Sequence, residues 1–191
     1  MYPRAPWHLR GSLYLSVFAL PARHLPALPA ALRPLTVAGR ALVGAAWVRY
    51  EPGGTLHYRE LLTAVLLRDL RVSIIDIWVD SEASRSGGRA LWAIPKDLAT
   101  LAINPPAATA AGIATAAIGP GRRLPGRWPT PMSLRQARGD KLVDTPVRGR
   151  TALRHARIAW TPAPGGRLAY LAGRRPLLSL VLDDFRLQFG R

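Results

Sequence analysis

Apolar and polar positions alternate with the two-residue period of strands along most of this chain, in short runs bounded by Gly, Pro and charged residues. Ser12–Leu20 is the first such run. Pro21–Pro34 is punctuated by proline and leaves room for one short helix around Leu25–Leu32. Leu35–Glu51, rich in Val, Ala, Trp and Tyr, ends at the turn signal Pro52-Gly53-Gly54. Thr55–Leu67 and Val72–Asp80 predict two further strands, the second with the β-branched content of a central one. There the pattern changes. Ser84–Gly88 reads as a loop and Arg89–Leu101 as a short helix interrupted by Pro95. Proline is tolerated in a first helical turn, so a helix starting near Pro95 is expected, with Lys96 at its N-terminal end. Gly112–Ile118, Thr151–Trp160, Arg167–Leu171 and Leu177–Phe189 read as strands, separated by Gly/Pro/Arg loops at 119–131 and 161–166.

Short strands with frequent turns and little helix predict a mainly β (α+β) fold, a curled antiparallel sheet or β-barrel with few short helices. The 191 residues fit one domain over 1–191, with no internal repeat and no clear linker.

Composition narrows the chemistry. Apolar residues make up 49%, enough for a sizeable core, and six of the fourteen aromatics are Trp, expected in the core or a pocket wall. The net charge of +16 would suit a nucleic-acid partner, but only two of the 27 basic residues are lysines, Lys96 and Lys141. The excess is concentrated in 122–175, which reads as a solvated, arginine-rich loop and strand face, and no helix-turn-helix, RRM or basic helix is recognisable. A nucleic-acid partner is therefore not expected. Zero cysteines exclude disulfides, Fe–S clusters, thiolate zinc sites and a cysteine nucleophile. The four histidines show neither H-x-x-x-H nor HExxH spacing, so no metal site is expected. Gly11–Pro21 resembles a short signal peptide but reads better as a buried strand, and Leu98–Gly121 is uncharged yet too weakly apolar and too broken to span a bilayer. A soluble, cytoplasmic protein without a membrane partner is expected. Gly119–Gly126 lacks the GKS/T ending of a phosphate loop and reads as a plain turn.

One residue carries a chemical signal. Lys96 is flanked by Leu91, Trp92, Ile94 and Leu98, unusual company for a surface lysine. A buried ammonium must be paired or surrender its proton. At its ordinary pKa near 10.4 only about one lysine in a few thousand is a free amine at neutral pH. Such an amine attacks a ketone to form a Schiff base, whose iminium accepts the electron pair released when a β-carboxylate leaves as CO₂. No metal, pyridoxal or thiamine is needed, and no site for any of them is recognisable.

The pattern Val79-Asp80-Ser81 … Gly88-Arg89-x-x-Trp92-x-x-Pro95-Lys96-x-Leu98 resembles the signature of acetoacetate decarboxylase and its relatives. The resemblance implies a barrel of that family's type, no cofactor, and Lys96 as the Schiff-base lysine. Tyr58-Arg59-Glu60 resembles the family's Tyr-x-Glu, implying Glu60 as a catalytic carboxylate with Tyr58 beside it. Trp7-His8-Leu9-Arg10 resembles a short N-terminal family motif, implying Arg10 as partner of the substrate carboxylate, and Trp92 is expected in the pocket wall. The closing stretch Leu177–Gly190 also resembles the end of family members, which form homo-oligomers. Asp97 stands where the type enzyme has a second lysine, so activation of Lys96 is expected to come from burial rather than a neighbouring cation. A second family glutamate would fall within residues 44–47, where no acid stands, and Glu51 is the nearest replacement. The expected function is a cofactor-independent lyase acting on a small β-keto acid. The alternatives are the same iminium used for aldol or dehydratase chemistry on an oxo acid, or a non-catalytic binder of small carboxylates.

Overall fold

The computed structural model describes residues 1–119 and 121–191, and the turn expected across Gly119–Gly126 includes Pro120, which lies outside them. In chain order the elements are β1 (Trp7–Pro21), β2 (Thr36–Val37), β3 (Arg40–Tyr50), β4 (Tyr58–Leu66), β5 (Val72–Val79), helix α1 (Glu82–Trp92) and β6 (Lys96–Leu98). There follow β7 (Leu101–Asn104), β8 (Ala107–Ala110), β9 (Ala114–Gly119), β10 (Trp128–Pro129), β11 (Met132–Arg138), β12 (Lys141–His155), β13 (Arg157–Pro162) and β14 (Leu178–Phe189), with 3-10 turns at Ala22–His24 and Ala169–Leu171. The mainly β expectation, with few short helices, is met.

The larger sheet runs β1-β14-β12-β11-β5-β4-β3, and β3 pairs back onto β1, so it closes into a barrel. Its weak seam lies between β5 and β11, joined in parallel through the single pair Val72–Leu134. Further along β5 the seam is filled by β6, which pairs Ile77 with Lys96 in parallel. Parallel neighbours need a crossover, and α1 supplies it. A four-stranded antiparallel sheet, β13-β9-β8-β7, lies against the outside of the barrel. There Tyr14, Trp47, Leu61 and Trp78 meet Ile103, Ala116, Ile118 and Ile158 in one core.

Bulges shift the register locally. On β14 one extra residue stands opposite Ser12 of β1, between the pairs Gly11–Phe185 and Leu13–Leu182, and on β5 one extra residue, Ile75, sits opposite the step from Thr63 to Ala64. β1 itself alternates without interruption: Tyr14, Ser16, Phe18 and Leu20 are buried on the outer face, and Leu13, Leu15 and Val17 face the barrel interior.

Several expectations are corrected. The helix at Leu25–Leu32 is absent and only a 3-10 turn stands just before it; Pro26 and Pro29 lack the backbone donors a helix needs. Leu35–Glu51 is two strands, split by a hairpin in which Ala38 and Gly39 both have positive φ. Ser84–Gly88 is not a loop but the heart of α1, whose first turn is capped by the Ser81 hydroxyl accepting from the Ser84 N–H. The helix expected near Pro95 is replaced by β6, because α1 has already ended at Ala93 in the left-handed conformation. Lys96 thus sits on a strand, with no helix N-terminus behind it. Arg167–Leu171 is a 3-10 turn rather than a strand. Residues 132–150, unassigned by pattern, form β11 and the first two-thirds of β12. Among the described residues, four of the thirteen basic positions of 122–175 are in ion pairs, Arg135 with Asp69 and Asp144, Arg127 with Asp184, Arg154 with Asp183 and Arg167 with Asp76 and Asp97. No helix among the described residues is long and apolar enough to cross a membrane.

Candidate active site

Lys96 opens β6 and points into the barrel with only 3% of its surface exposed. Two glycines in α1 let the helix approach this closely. A Cβ on Gly88 would lie 2.8 Å from Lys96 Cδ, and one on Gly87 would lie 2.5 Å from the Trp7 ring. Glycine within a helix costs about 0.5–1 kcal/mol relative to alanine. Here it is offset by a contact no larger residue could make.

At the head of this stem the three N–H donors of the ammonium meet three acceptors. Lys96 Nζ donates to Glu60 Oε2 at 2.7 Å, Ser84 Oγ at 2.9 Å and Tyr58 OH at 3.2 Å. Glu60 is 2% exposed, and its other oxygen accepts from Tyr50 OH at 3.2 Å. The Tyr50 and Tyr58 rings stack at 4.3 Å, fixing the two phenols beside the carboxylate. Register explains the convergence. Tyr58 and Glu60 alternate inward on β4, Tyr50 lies across from Tyr58 on β3, and Val79 pairs with Glu60 on β5, whose next partner is β6.

Burial pushes the Lys96 amine down, but the Glu60 carboxylate and the Tyr58 phenol pull it the other way, and the result lies above its ordinary value. Lys96 therefore rests as an ammonium. The expectation that burial alone lowers its pKa does not describe this state. Asp97 plays no part in it, since its carboxylate turns outward to Arg89 and Arg167. Burial raises the Tyr58 phenol to about 12, and burial with Glu60 raises Tyr50 well above its usual range. Both phenols remain donors at neutral pH.

These groups stand at one end of a cavity of about 500 Å³ inside the barrel. Apart from Thr130, its remaining lining is apolar, including Leu9, Leu15, Ala46, Leu62, Ile74 and Leu134. Tyr58, Glu60, Lys96 and Trp92 all line it, as the sequence suggested. Trp92 meets Trp7 and Phe189 edge to face, at 4.7 and 4.6 Å between centroids, closing the wall beside Lys96. Arg10 does not join them. It lies between inward-facing Leu9 and buried Gly11, and lines a separate surface pocket with Arg148 and Arg186. No guanidinium lines the barrel cavity among the described residues. The second family acid is also missing from it: Gly44, Ala46 and Val48 face inward, and Glu51 pairs with Arg49 on the surface.

Sequence reasoning missed Ser84 and Tyr50. Ser84 was hidden by the loop reading of its segment. Tyr50 was legible only through register, as an inward position one pair from Tyr58. Among the described residues no group of three or more His, Asp or Glu stands close enough to hold a metal ion.

Comparison with known proteins agrees with this geometry. The family model described as Acetoacetate decarboxylase (ADC) matches residues 24–126, a span that includes Glu60 and Lys96. No curated protein sequence matches the chain. Among solved structures, the acetoacetate decarboxylase of Legionella pneumophila subsp. pneumophila str. Philadelphia 1 is similar with a TM-score of 0.67 and 18% identity, covering 100% of this chain and 88% of that one. An acetoacetate decarboxylase-like enzyme from Sphingomonas wittichii RW1 is similar with a TM-score of 0.60 and 19% identity, covering 98% and 91%. The enduracididine biosynthesis enzyme MppR, complexed with the condensation product of pyruvate and imidazole 4-carboxaldehyde, is similar with a TM-score of 0.56 and 15% identity, covering 98% and 87%. At these identities the likeness is one of fold.

Proposed function

The chain belongs to the acetoacetate decarboxylase family, and on that premise we propose that it is a cofactor-independent lyase that decarboxylates a β-keto acid through an iminium on Lys96. The observation that supports this most is the buried pair itself, Lys96 Nζ 2.7 Å from Glu60 Oε2 at the polar end of an apolar cavity.

The resting ammonium cannot attack a ketone. Transfer of its proton to Glu60 yields a neutral amine beside a neutral acid and needs no proton from solvent. The amine nitrogen then bonds to the ketone carbon. One proton from the amine nitrogen and the proton held by Glu60 pass to the former ketone oxygen, which leaves as water, and an iminium remains. The β-carboxylate and the iminium now form a zwitterion in a medium that solvates charge poorly. Breaking the bond to the carboxylate sends its electron pair to the iminium nitrogen and releases CO₂, so both charges vanish in forming a neutral enamine. An apolar cavity favours that step because the transition state carries less separated charge than the zwitterion. Protonation of the enamine carbon and addition of water to the resulting iminium free the ketone and restore Lys96. Tyr50 and Tyr58 hold Glu60 in place and stay protonated throughout.

One observation favours a second reading. Among the described residues no guanidinium lines the cavity to clamp the carboxylate of a β-keto acid. The same iminium can lose an α-proton to Glu60 and add, as an enamine, to an aldehyde. Borohydride reduction in the presence of a panel of β-keto and α-keto acids, followed by peptide mass mapping, tests both. An adduct on Lys96 with CO₂ release supports decarboxylation, and an adduct without it, together with a condensation product when aldehyde is added, supports the aldol reading. No adduct with any acid removes both.

A further inference from the structure

We propose that the barrel cavity is a binding site for a long apolar substituent, so that the substrate is a keto acid or ketone carrying an alkyl or aryl chain rather than a compact four-carbon one. This rests on the Lys96 reading for its reactive end, but the shape and lining of the cavity argue it independently.

Size comes first. A water in the liquid occupies about 30 Å³. By that measure a cavity of about 500 Å³ has room for roughly seventeen atoms of that size, more than twice the non-hydrogen atoms of acetoacetate. Its volume lies in the range of pockets that enclose ligands of drug-like size, about 300–1,000 Å³. Shape comes second. Along β4 the lining continues from Glu60 through Leu62 and Ala64 to Leu66, about six residue steps and roughly 20 Å of extended chain. Chemistry comes third. Tyr50, Tyr58, Glu60 and Lys96 gather at one end, and beyond them the lining offers hydrogen bonds only through Thr130. A small polar acid would leave most of this surface facing water.

Two details mark the apolar part as built for a chain. Gly44 lies on the inner face where an added Cβ would meet only Leu15 Cδ1 at 3.4 Å and the Ala64 carbonyl at 4.0 Å, so the bare backbone there widens the cavity rather than easing a tight contact. Leu42 and Met132 line the cavity yet remain exposed, providing a mouth through which a long substituent reaches solvent.

The test separates this inference from the Schiff-base reading. Binding of straight-chain methyl ketones from five to eleven carbons is measured by calorimetry on the full chain, and each ketone is also tested for borohydride trapping on Lys96. Affinity is expected to rise about fourfold per methylene, the gain for each buried CH₂, until the cavity is filled. Gly44→Leu, which places a side chain in the channel, is expected to move the end of that rise to shorter ketones. Leu66→Trp provides a second block should the glycine variant fail to fold. Affinity that is flat or falling beyond five carbons overturns the inference, whether or not an adduct forms. A rise that neither block shortens overturns it too, since the chain then binds elsewhere. A rise shortened by the blocks without any adduct upholds the chain-binding cavity and removes the Schiff-base chemistry.

Discussion

Inside the barrel Leu13, Leu15, Leu62 and Leu66 are only half-buried, although they face the centre of the protein. On the outer face of the same strands Tyr14, Trp47, Leu61 and Trp78 are almost wholly buried against the second sheet, where alanines of β8 and β9 let the sheets close around the indoles. Trp160 stacks on Trp47 at 5.5 Å and donates through Nε1 to Ser16 Oγ at 2.9 Å. The outer core is packed for stability, and its charges, Asp76 with Arg167, stand at the margin. The inner core gives up that packing to leave room, and its one ion pair is sealed from water. Stability and function are thus assigned to opposite faces of one set of strands.

The largest effect expected comes from breaking the sealed pair. Lys96→Met abolishes adduct formation and turnover and leaves the Glu60 carboxylate buried without its cation. Removing one member of such a pair typically costs about 3–5 kcal/mol. The double variant Lys96→Met/Glu60→Leu is expected to recover that loss, because apolar replacement of a buried pair is often neutral or better. Urea melts of the two decide it. A single variant as stable as the double shows that Glu60 is not stranded.

Next in size is a direct contrast of the faces. Ile103 is fully buried between the sheets, and Ile103→Ala is expected to cost about 2–5 kcal/mol. Leu62 borders the cavity and has fewer partners to lose, so Leu62→Ala is expected to cost less than about 2 kcal/mol. Equal losses in denaturant melts would remove the distinction between a packed outer core and an open inner one.

A third measurement concerns pH. In the intact protein burial is the largest single influence on Lys96, yet Glu60 and Tyr58 together outweigh it and hold the amine above its ordinary 10.5. In Glu60→Gln the opposing charge is gone and burial remains, so the amine falls toward or below that value. The midpoint of Lys96 reductive alkylation against pH should move down, and an upward or absent shift would show that Glu60 is not its counter-charge. Stability follows from the same shifts. Lys96 and Tyr58 both bind their protons more tightly when folded, Tyr58 with a value of about 12 against 10.0. Their contribution is complete below about pH 10 and is lost as pH rises through the raised values. Melts between about pH 9 and pH 12 should show that decline, and a smaller one in Tyr58→Phe.

How much of this was legible depended on whether the information was local. That Lys96, Tyr58, Glu60 and Trp92 would lie together was legible because a lysine in apolar company is unusual, its flanking pattern is specific, and Tyr58-Arg59-Glu60 resembles a second family motif. The central strands were found by period and β-branching. Failures cluster where a residue's conformation is dictated from elsewhere. Ser84–Gly88 has the composition of a loop, yet Gly87 and Gly88 are needed in a helix because Trp7 and the Lys96 stem press against it. The first part of β12 opens on exposed Lys141, carries Arg148 and Arg150 on its outer face and has Pro146 and Gly149 within it, which hides a strand from hydropathy. Arg10 matched a motif, but it alternates with Leu9 and Leu13, which face the cavity, so the strand turns it outward.

The smallest expected effect tests the clearest correction. Asp97 follows Lys96 in sequence, and adjacency alone suggested that its charge would tune the amine. Successive residues on a strand point to opposite faces, so the side chain next in sequence is among the least able to reach the same pocket. Asp97 instead bridges Arg89 and Arg167 at the surface, and Arg89 also donates to the Lys96 carbonyl at 2.6 Å. Exposed pairs of this kind contribute about 0–1 kcal/mol. Asp97→Ala is therefore expected to lower stability by no more than that and to leave the Lys96 alkylation midpoint where it was. A midpoint that moves down in Asp97→Ala as far as in Glu60→Gln would mean that the outer charge reaches the inner face after all, and the separation of the two faces would fail.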